Sequence, residues 1–287
     1  MELSVHDFDL LRKYIHQICG IALGDDKQYL VRQRLEPVAV EQGCKDFAEF
    51  AHCVSCCADG RLRDRIITSI TTNETSFFRD GHPFSLFRGA ILPKLHRIIL
   101  ERKTRPFGRR GAKAAILSAG ASTGQEPYTL SIIINDFFRH HQSNEGVIPS
   151  DIAIVAADVS SRALAKAVAG EYSALEIGRG LSDLQKATYF THEGNTWIVK
   201  DQIKKLVEFR RVNFIESFTF LGAFDVIFCR NMLIYFDQST RTRIIEQFHR
   251  MLSDGGYLIL GATENIFGLY DRFEPIRAER STAYRKK

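Results

Sequence analysis

The residues best suited to chemistry in this sequence stand where apolar runs end. Residues 114–128, AAILSAGASTGQEPY, carry an apolar run into a small-residue turn with a helix directly behind it. Such a turn is a ligand site: glycines admit a close approach to the backbone, and unpaired N–H groups and the positive helix end face the bound molecule. Pro127 suits the first helical turn, where its missing N–H costs nothing. The run IAIVAAD ends in Asp158, whose carboxylate can accept hydrogen bonds from a ribose diol. Asp158 could also cap the helix SSRALAKA, a role equally open to Ser160. FDVIFC leads to Arg230 and Asn231, with Tyr235 and Phe236 shortly after, although aromatics there are more often core than catalytic. These three run ends would meet along the carboxyl edge of a parallel sheet.

The turn admits other chemistry. Gly120-Ala121-Ser122-Thr123-Gly124 matches G-x-S-x-G, the nucleophile elbow of α/β-hydrolases. An esterase would pair Ser122 with an acid and a histidine, Asp225 and His249 being available, but His249 falls within a helical pattern. A hydrolase elbow also follows several strands, whereas everything before Ala114 reads as helix and loop. A dinucleotide turn wants the third glycine of G-x-G-x-x-G, which is absent, so the spacing suits a shorter cofactor without a pyrophosphate.

The elements that must hold these groups alternate. Strands are expected at 114–118, 152–157, 206–211, 224–229 and 256–261, and helices at 125–138, 160–169 and 239–252, the pattern of a doubly wound α/β sheet. Between Gly170 and residue 206 lies more chain than a simple connection needs. Thr196–Lys200, preceded by Glu193-Gly194-Asn195, reads as a hairpin arm in that insert and a docking surface. Residues 1–70 read as a helical module. Ser4-Val5-His6-Asp7 resembles a capping box, followed by the stripe Phe8, Leu11, Ile15 and Ile18 that stops at Gly20. A second helix begins near Asp25-Asp26 and carries Lys27, Arg32 and Arg34, with Lys27 and Arg34 on one face, before Pro37 kinks or ends it. A third follows Asp46, with Phe47, Phe50, Ala51 and Val54 at helical spacing.

The 287 residues suffice for a full α/β core and a smaller domain. No apolar run approaches the roughly 20 residues that span a bilayer, and the start MELSVHDFD lacks the features of an export signal. Six cysteines without a disulfide framework point to a reducing cytoplasm. Cys53, Cys56 and Cys57 find no complementary pair for a tetrahedral metal set, so packing along one helix flank is the favoured reading and no metal is expected. The net charge of +5 is concentrated at 102–113, RKTRPFGRRGAK, which reads as a solvated loop marked by Pro106, Gly108 and Gly111, with nucleic-acid binding the lesser reading. The helical module has nine basic and eleven acidic residues, so an acidic partner would have to meet a local basic face.

ITTNETSFFRD at 70–80, LSAGASTGQEPY at 117–128, the strand ending in Asp158, FDVIFCRNMLIYF at 224–236 and GGYLILGATEN at 255–265 together resemble the chemotaxis receptor methyltransferases, the CheR family. The likeness spans nearly the whole chain. It implies a Rossmann-like methyltransferase domain over 71–287 with a small inserted β-subdomain at about 171–206, preceded by an all-α receptor-docking domain over 1–70. It further implies a cytoplasmic, monomeric protein-glutamate O-methyltransferase that uses S-adenosylmethionine, releases S-adenosylhomocysteine and acts on the cytoplasmic signalling domain of chemoreceptors, with neither nucleic acid nor membrane insertion. The cofactor contacts carried over are Asn73, Thr75, Arg79, Glu126, Asp158, Asn213, Phe214, Arg230 and Asn231, and Arg79 and Tyr235 match the positions nearest the transferred methyl group. Arg79 would orient either the acceptor or the cofactor, since too strong a pair with the acceptor stabilises the ground state. Lys27 and Arg34 become docking residues for acidic receptor helices. The hairpin loop around His192-Glu193-Gly194-Asn195 is shorter than in relatives that grip a receptor tether, which implies tether-independent action. A nucleic-acid methyltransferase acting on amino groups would want a polar-Pro-Pro-aromatic turn where this chain has Arg230-Asn231-Met232-Leu233; a non-catalytic adaptor is the other alternative.

Overall fold

The computed structural model describes every residue except 58, 105–112, 141–145, 267 and 279–280. Four helices open the chain: α1 (Val5–Cys19), α2 (Gln28–Glu41), α3 (Phe47–Cys57) and α4 (Gly60–Ile70). The Ser4 hydroxyl accepts the Asp7 N–H to start α1, and Gly20, at φ 75°, closes it in the left-handed conformation that glycine adopts without penalty. The apolar stripes meet in a core of their own that includes Phe8, Leu11, Ile15, Val31, Leu35, Phe47, Phe50 and Ile66. Of the two outcomes expected at Pro37, a kink or an end, α2 does not end there. The helix continues to Glu41 because Val38 and Ala39, beyond the proline, are buried in the same core as Val31 and Leu35.

After a linker, α5 (His82–Leu86) runs through a π-helical turn at Phe87–Ile91 into α6 (Leu92–Thr104). The alternating region then supplies β1 (Ala114–Ala119), α7 (Gln125–His140), β2 (Ile152–Asp158) and α8 (Ser161–Ala169). The insert follows as β3 (Glu171–Ser173), α9 (Ala174–Gly178), α10 (Asp183–Tyr189), β4 (Phe190–Glu193), β5 (Thr196–Val199) and α11 (Asp201–Lys204). The chain finishes with β6 (Val207–Arg211), β7 (Phe224–Cys229), α12 (Gln238–Met251), β8 (Leu252–Leu260), β9 (Phe273–Ala278) and β10 (Ser281–Lys286). The main sheet has the order β6-β2-β1-β7-β8-β10-β9. Its first five strands are parallel, and β10 runs antiparallel to both β8 and β9. The order reverses at β1, which pairs β2 on one side and β7 on the other, so a crevice forms beyond its carboxyl end.

The insert is a three-stranded antiparallel sheet, β3-β5-β4. Its inner face does more than present an arm. Phe77 of the interdomain linker packs edge-on against Tyr172 and Phe190, with ring centroids 5.1 and 5.5 Å apart. A Cβ on Gly180 would meet the Phe77 carbonyl oxygen at 1.9 Å, so the insert can close on the linker only with glycine there.

The basic segment is not a loop throughout. Arg102 and Lys103 belong to the last turn of α6, where they lie 2.6 Å from Asp225 and 2.5 Å from Asp151. Those pairs consume charge that a nucleic-acid reading requires. Residues 105–112, including Pro106, Gly108 and Gly111, lie outside the described residues. No helix among the described residues is long and apolar enough to cross a membrane.

Candidate active site

A cleft of about 930 Å³, mouth included, opens at the carboxyl ends of β1, β2 and β7. Asn73, Thr75, Arg79, Glu126, Asp158, Asn213, Phe214, Arg230, Asn231 and Tyr235 all line it. The sequence spreads these residues over more than half its length; the parallel register gathers the strand ends, and the linker at 71–76 runs across the same opening.

The turn after β1 works differently from the sequence expectation. Its first N–H groups do not face the cleft: Gly120 and Ala121 both donate to the Ala157 carbonyl, and Ser122 donates to Asp158 Oδ2 at 2.8 Å. The turn is thereby sewn to β2. Gly120, at φ 77°, has the Met232 side chain 3.2 Å from where a Cβ would stand, and Gly124, at φ 96°, has the Tyr172 hydroxyl at 2.9 Å. Close packing, together with positive φ, accounts for both glycines.

Asp158 is buried, and its other oxygen accepts the Ser160 N–H at 2.9 Å, while the Ser160 hydroxyl caps α8. The capping role foreseen for this strand end thus falls to Ser160, while Asp158 ties the β1 turn to the start of α8. Burial pushes the Asp158 carboxyl above its ordinary range, and the backbone N–H groups of Ser160 and Ser122 pull partly against that. Glu126, in the first turn of α7, accepts the Ser118 hydroxyl at 2.8 Å and Arg230 Nη1 at 3.1 Å. Burial raises Glu126 as well, opposed chiefly by the Arg230 charge. Arg230 also reaches Asp80 at 2.7 Å and the Arg79 carbonyl at 2.8 Å, and its guanidinium lies 5.0 Å over the Phe84 ring. Arg230 Nε is buried without a partner among the described residues. Arg79 differs from Arg230: its guanidinium donates to the Glu74 carbonyl, and it has no carboxylate partner among the described residues.

Sequence reasoning missed the part of the wall that comes from the first domain. Cys19 and Ile21 line the cleft beside Val159, Met232 and Phe236. Ile21 bridges to Phe236, Ala22 donates to the Tyr235 carbonyl at 2.9 Å, and His16 Nε2 lies 2.7 Å from Asp237. Gly20 was the available signal, because a Cβ there would stand 2.3 Å from Ile215. The docking candidates separate. Lys27 sits in a short 3₁₀ turn ahead of α2, beside Asp26, whereas Arg34 is half-buried and donates to the Ile70 carbonyl and the Thr72 hydroxyl.

The hydrolase triad is not assembled. Ser122 adopts the strained positive φ of an elbow, 51°, but its hydroxyl donates to the Asn73 carbonyl. Asp225 lies at the opposite, amino end of β7, held by Arg102, and His249 packs in α12 against Phe273. Nor do the cysteines act as one packed flank: Cys53 leans on the helical core, Cys56 is exposed, and the side chain of Cys57 lies outside the described residues. No cluster of three metal-binding side chains occurs among the described residues.

A doubly wound sheet closed by an antiparallel pair, with a buried carboxylate at the end of β2 beside a turn that lacks the third glycine of a dinucleotide site, has the arrangement of a Rossmann-like methyltransferase domain. Residues 73–282 match the family described as "CheR methyltransferase, SAM binding domain", and residues 6–71 its "all-alpha domain". The chain belongs to the CheR methyltransferase family. It is 39% identical over 288 residues to "Chemotaxis protein methyltransferase 1" of Pseudomonas aeruginosa, which covers 100% of both chains. It is 38% identical to "Chemotaxis protein methyltransferase Cher2" of Pseudomonas putida, covering 98% of each chain. It is 36% identical to "Chemotaxis protein methyltransferase" of Vibrio parahaemolyticus, covering 99% of this chain and 98% of that one.

Proposed function

We propose that this protein transfers a methyl group from S-adenosylmethionine to glutamate side chains in the cytoplasmic signalling domain of chemoreceptors, yielding glutamate methyl esters. The observation that carries the acceptor class is the inequality of the two arginines in the cleft. Arg230 is neutralised by Glu126 and Asp80, while Arg79 has no carboxylate partner among the described residues, so an incoming carboxylate meets a guanidinium that can orient it.

The cleft suits the cofactor. Asp158 offers an acceptor pair for ribose hydroxyls, Val159 and Phe214 an apolar side for the base, and Glu126, Arg230 and Asn231 polar groups for the amino-acid end. When bound, the cofactor supplies a methyl group on a sulfonium, so transfer is a displacement at carbon. A glutamate carboxylate, with an ordinary pKa near 4.3, is already ionised at neutral pH and needs no general base. This fits a cleft that no histidine lines among the described residues. What remains for the chain is to align the reactants and exclude water. Arg79 and the Tyr235 hydroxyl do the first in this reading; Cys19, Ile21, Phe214, Met232 and Phe236 do the second.

Arg79→Ala and Tyr235→Phe are each expected to lower turnover by about 10-fold or more, with S-adenosylhomocysteine affinity changed less, in assays using labelled cofactor. Equal and unchanged rates in both variants would remove them from the mechanism. For receptor docking, Lys27→Glu is expected to raise KM for receptor several-fold while cofactor affinity stays constant. Arg34→Glu is expected to disturb both, because Arg34 also pins the linker through Ile70 and Thr72. The deciding experiment incubates the protein with methyl-labelled S-adenosylmethionine and a chemoreceptor cytoplasmic fragment. Label on the receptor that mild base releases as methanol supports the reading; cofactor binding without transfer to any receptor fragment counts against it.

A further inference from the structure

We infer that Glu264 is a positioning residue for the methyl-transfer site, acting on the turn that carries Arg230, Asn231 and Tyr235. The inference rests on the proposed function for the meaning of that turn, but the contacts stand by themselves. Glu264 is not among the residues that line the cleft; it faces a separate hollow with Asp80, His82 and Tyr284. Its side chain is buried, yet no cation pairs with it among the described residues. Instead, one oxygen accepts the N–H groups of Leu233 and Ile234, at 2.7 and 3.3 Å, and the other accepts those of Asn231 and Gly261, both at 2.8 Å. Four backbone donors on one carboxylate make a complete acceptor set.

The need for such an acceptor follows from the path of the chain. After Cys229 the backbone leaves the ladder, takes Asn231 to φ 55°, and enters a short 3₁₀ turn at Leu233–Tyr235. A residue other than glycine at positive φ is strained, and the first N–H groups of a helical turn lack partners within it. Glu264 supplies those partners, as a capping acid does at a helix start, and an anion suits converging N–H dipoles. A second observation points the same way. A Cβ on Gly261 would stand 2.6 Å from Glu264 Oε2 and 3.1 Å from the Asn231 nitrogen, so the carboxylate and the turn occupy the space of the missing side chain. Gly261 has no positive φ, and alanine there would be opposed by these contacts rather than by its own backbone. From the other side the turn is held by Ala22, which donates to the Tyr235 carbonyl. Glu264 thus fixes the end of the turn nearer the sheet, and the first domain fixes its far end.

Glu264→Gln keeps the shape but turns an NH₂ group toward backbone donors. In the cofactor-free full-length protein, hydrogen–deuterium exchange of the amides at 231–234 is expected to quicken by about 10-fold or more, while exchange in β1 and β2 stays as in the wild type. Methyl transfer is expected to fall by about 10–100-fold in kcat. In a Tyr235→Phe background the same substitution is expected to cost much less, because the turn has then lost a group it presents. Gly261→Ala, which leaves Glu264 in the chain but displaces it, provides an independent variant and is expected to give the same local exchange signature. Unchanged exchange at 231–234 in both variants would overturn the inference. If Tyr235→Phe alone leaves transfer unchanged, the proposed role of Tyr235 fails, and the exchange measurement still judges Glu264.

Discussion

Arg230→Ala is expected to lower the free energy of unfolding by about 3–5 kcal/mol and to reduce methyl transfer to background. The size follows from what the substitution leaves behind. The Arg230 side chain is 2% exposed and that of Glu126 11%, so removing the arginine strands a carboxylate whose one remaining hydrogen bond among the described residues is from the Ser118 hydroxyl. The pair with Asp80, whose side chain is 46% exposed, contributes little to this cost. Arg230→Lys is not expected to rescue the loss, because one ammonium cannot serve Glu126, Asp80 and the Arg79 carbonyl with the spread of a planar guanidinium. The pH dependence has a definite sign. Burial already holds the Glu126 carboxyl above its unfolded value, so the folded state binds the proton more tightly, and stability falls as pH rises from the ordinary carboxylate range through the raised value. Without the arginine the carboxyl is held higher still, so this fall extends further up the pH scale. The destabilisation should therefore be small at acid pH, where Glu126 is protonated in both states, and grow toward neutral pH. Denaturant unfolding of both proteins across that range tests it, and Glu126→Gln added to Arg230→Ala should recover part of the loss. A destabilisation independent of pH would mean that packing against Phe84, rather than charge, is what Arg230 supplies.

The same residues show what can be read from one dimension. Strand ends were legible because apolar runs stop at polar residues: Asp158 and Arg230-Asn231 stand out against IAIVAA and FDVIFC, and both line the cleft. Helix α1 was legible from its stripe and Gly20. Pro37 did not mark the end of α2, because the local cost of proline in a helix says nothing about the core that Val38 and Ala39 fill on its far side. The basic segment misled for a similar reason. Arg102 and Lys103 are neutralised by Asp225 and Asp151, which are 123 and 48 positions away and share no local pattern with them. The glycine turn was recognised as part of the site, but its internal wiring was not, since a sequence does not say that Gly120 and Ala121 donate to Ala157. The contribution of the first domain was hidden for the same reason: nothing local to Cys19 and Ile21, on either side of Gly20, announces that the turn after β7 brings Tyr235 and Phe236 against them.

Asp158→Ala is expected to weaken S-adenosylhomocysteine binding by about 100-fold or more. An ionised carboxylate has about four lone-pair sites, and Ser122 and Ser160 use two of them, which leaves two for ribose hydroxyls. Loss of two charge-assisted hydrogen bonds, each worth about 1.5–3 kcal/mol, gives the stated range. Alanine also leaves the Ser122 and Ser160 N–H groups unpaired and loosens the stitch between the β1 turn and β2, so Asp158→Asn is the better control. Its amide oxygen can hold one N–H, but its NH₂ group opposes the other, and binding should fall between wild type and alanine. The affinity of the wild type is expected to decline as pH drops through the raised Asp158 value, beginning at a higher pH than an exposed aspartate would allow. Stability of the cofactor-free protein should move the opposite way, because a buried acid with a raised pKa costs folding free energy as it ionises. Calorimetric titration across pH, paired with unfolding of the free protein, reads both limbs. In Asp158→Asn the limb due to this residue should vanish from each; its persistence in binding would assign the ribose contact to another group and leave Asp158 as the tie between two strand ends.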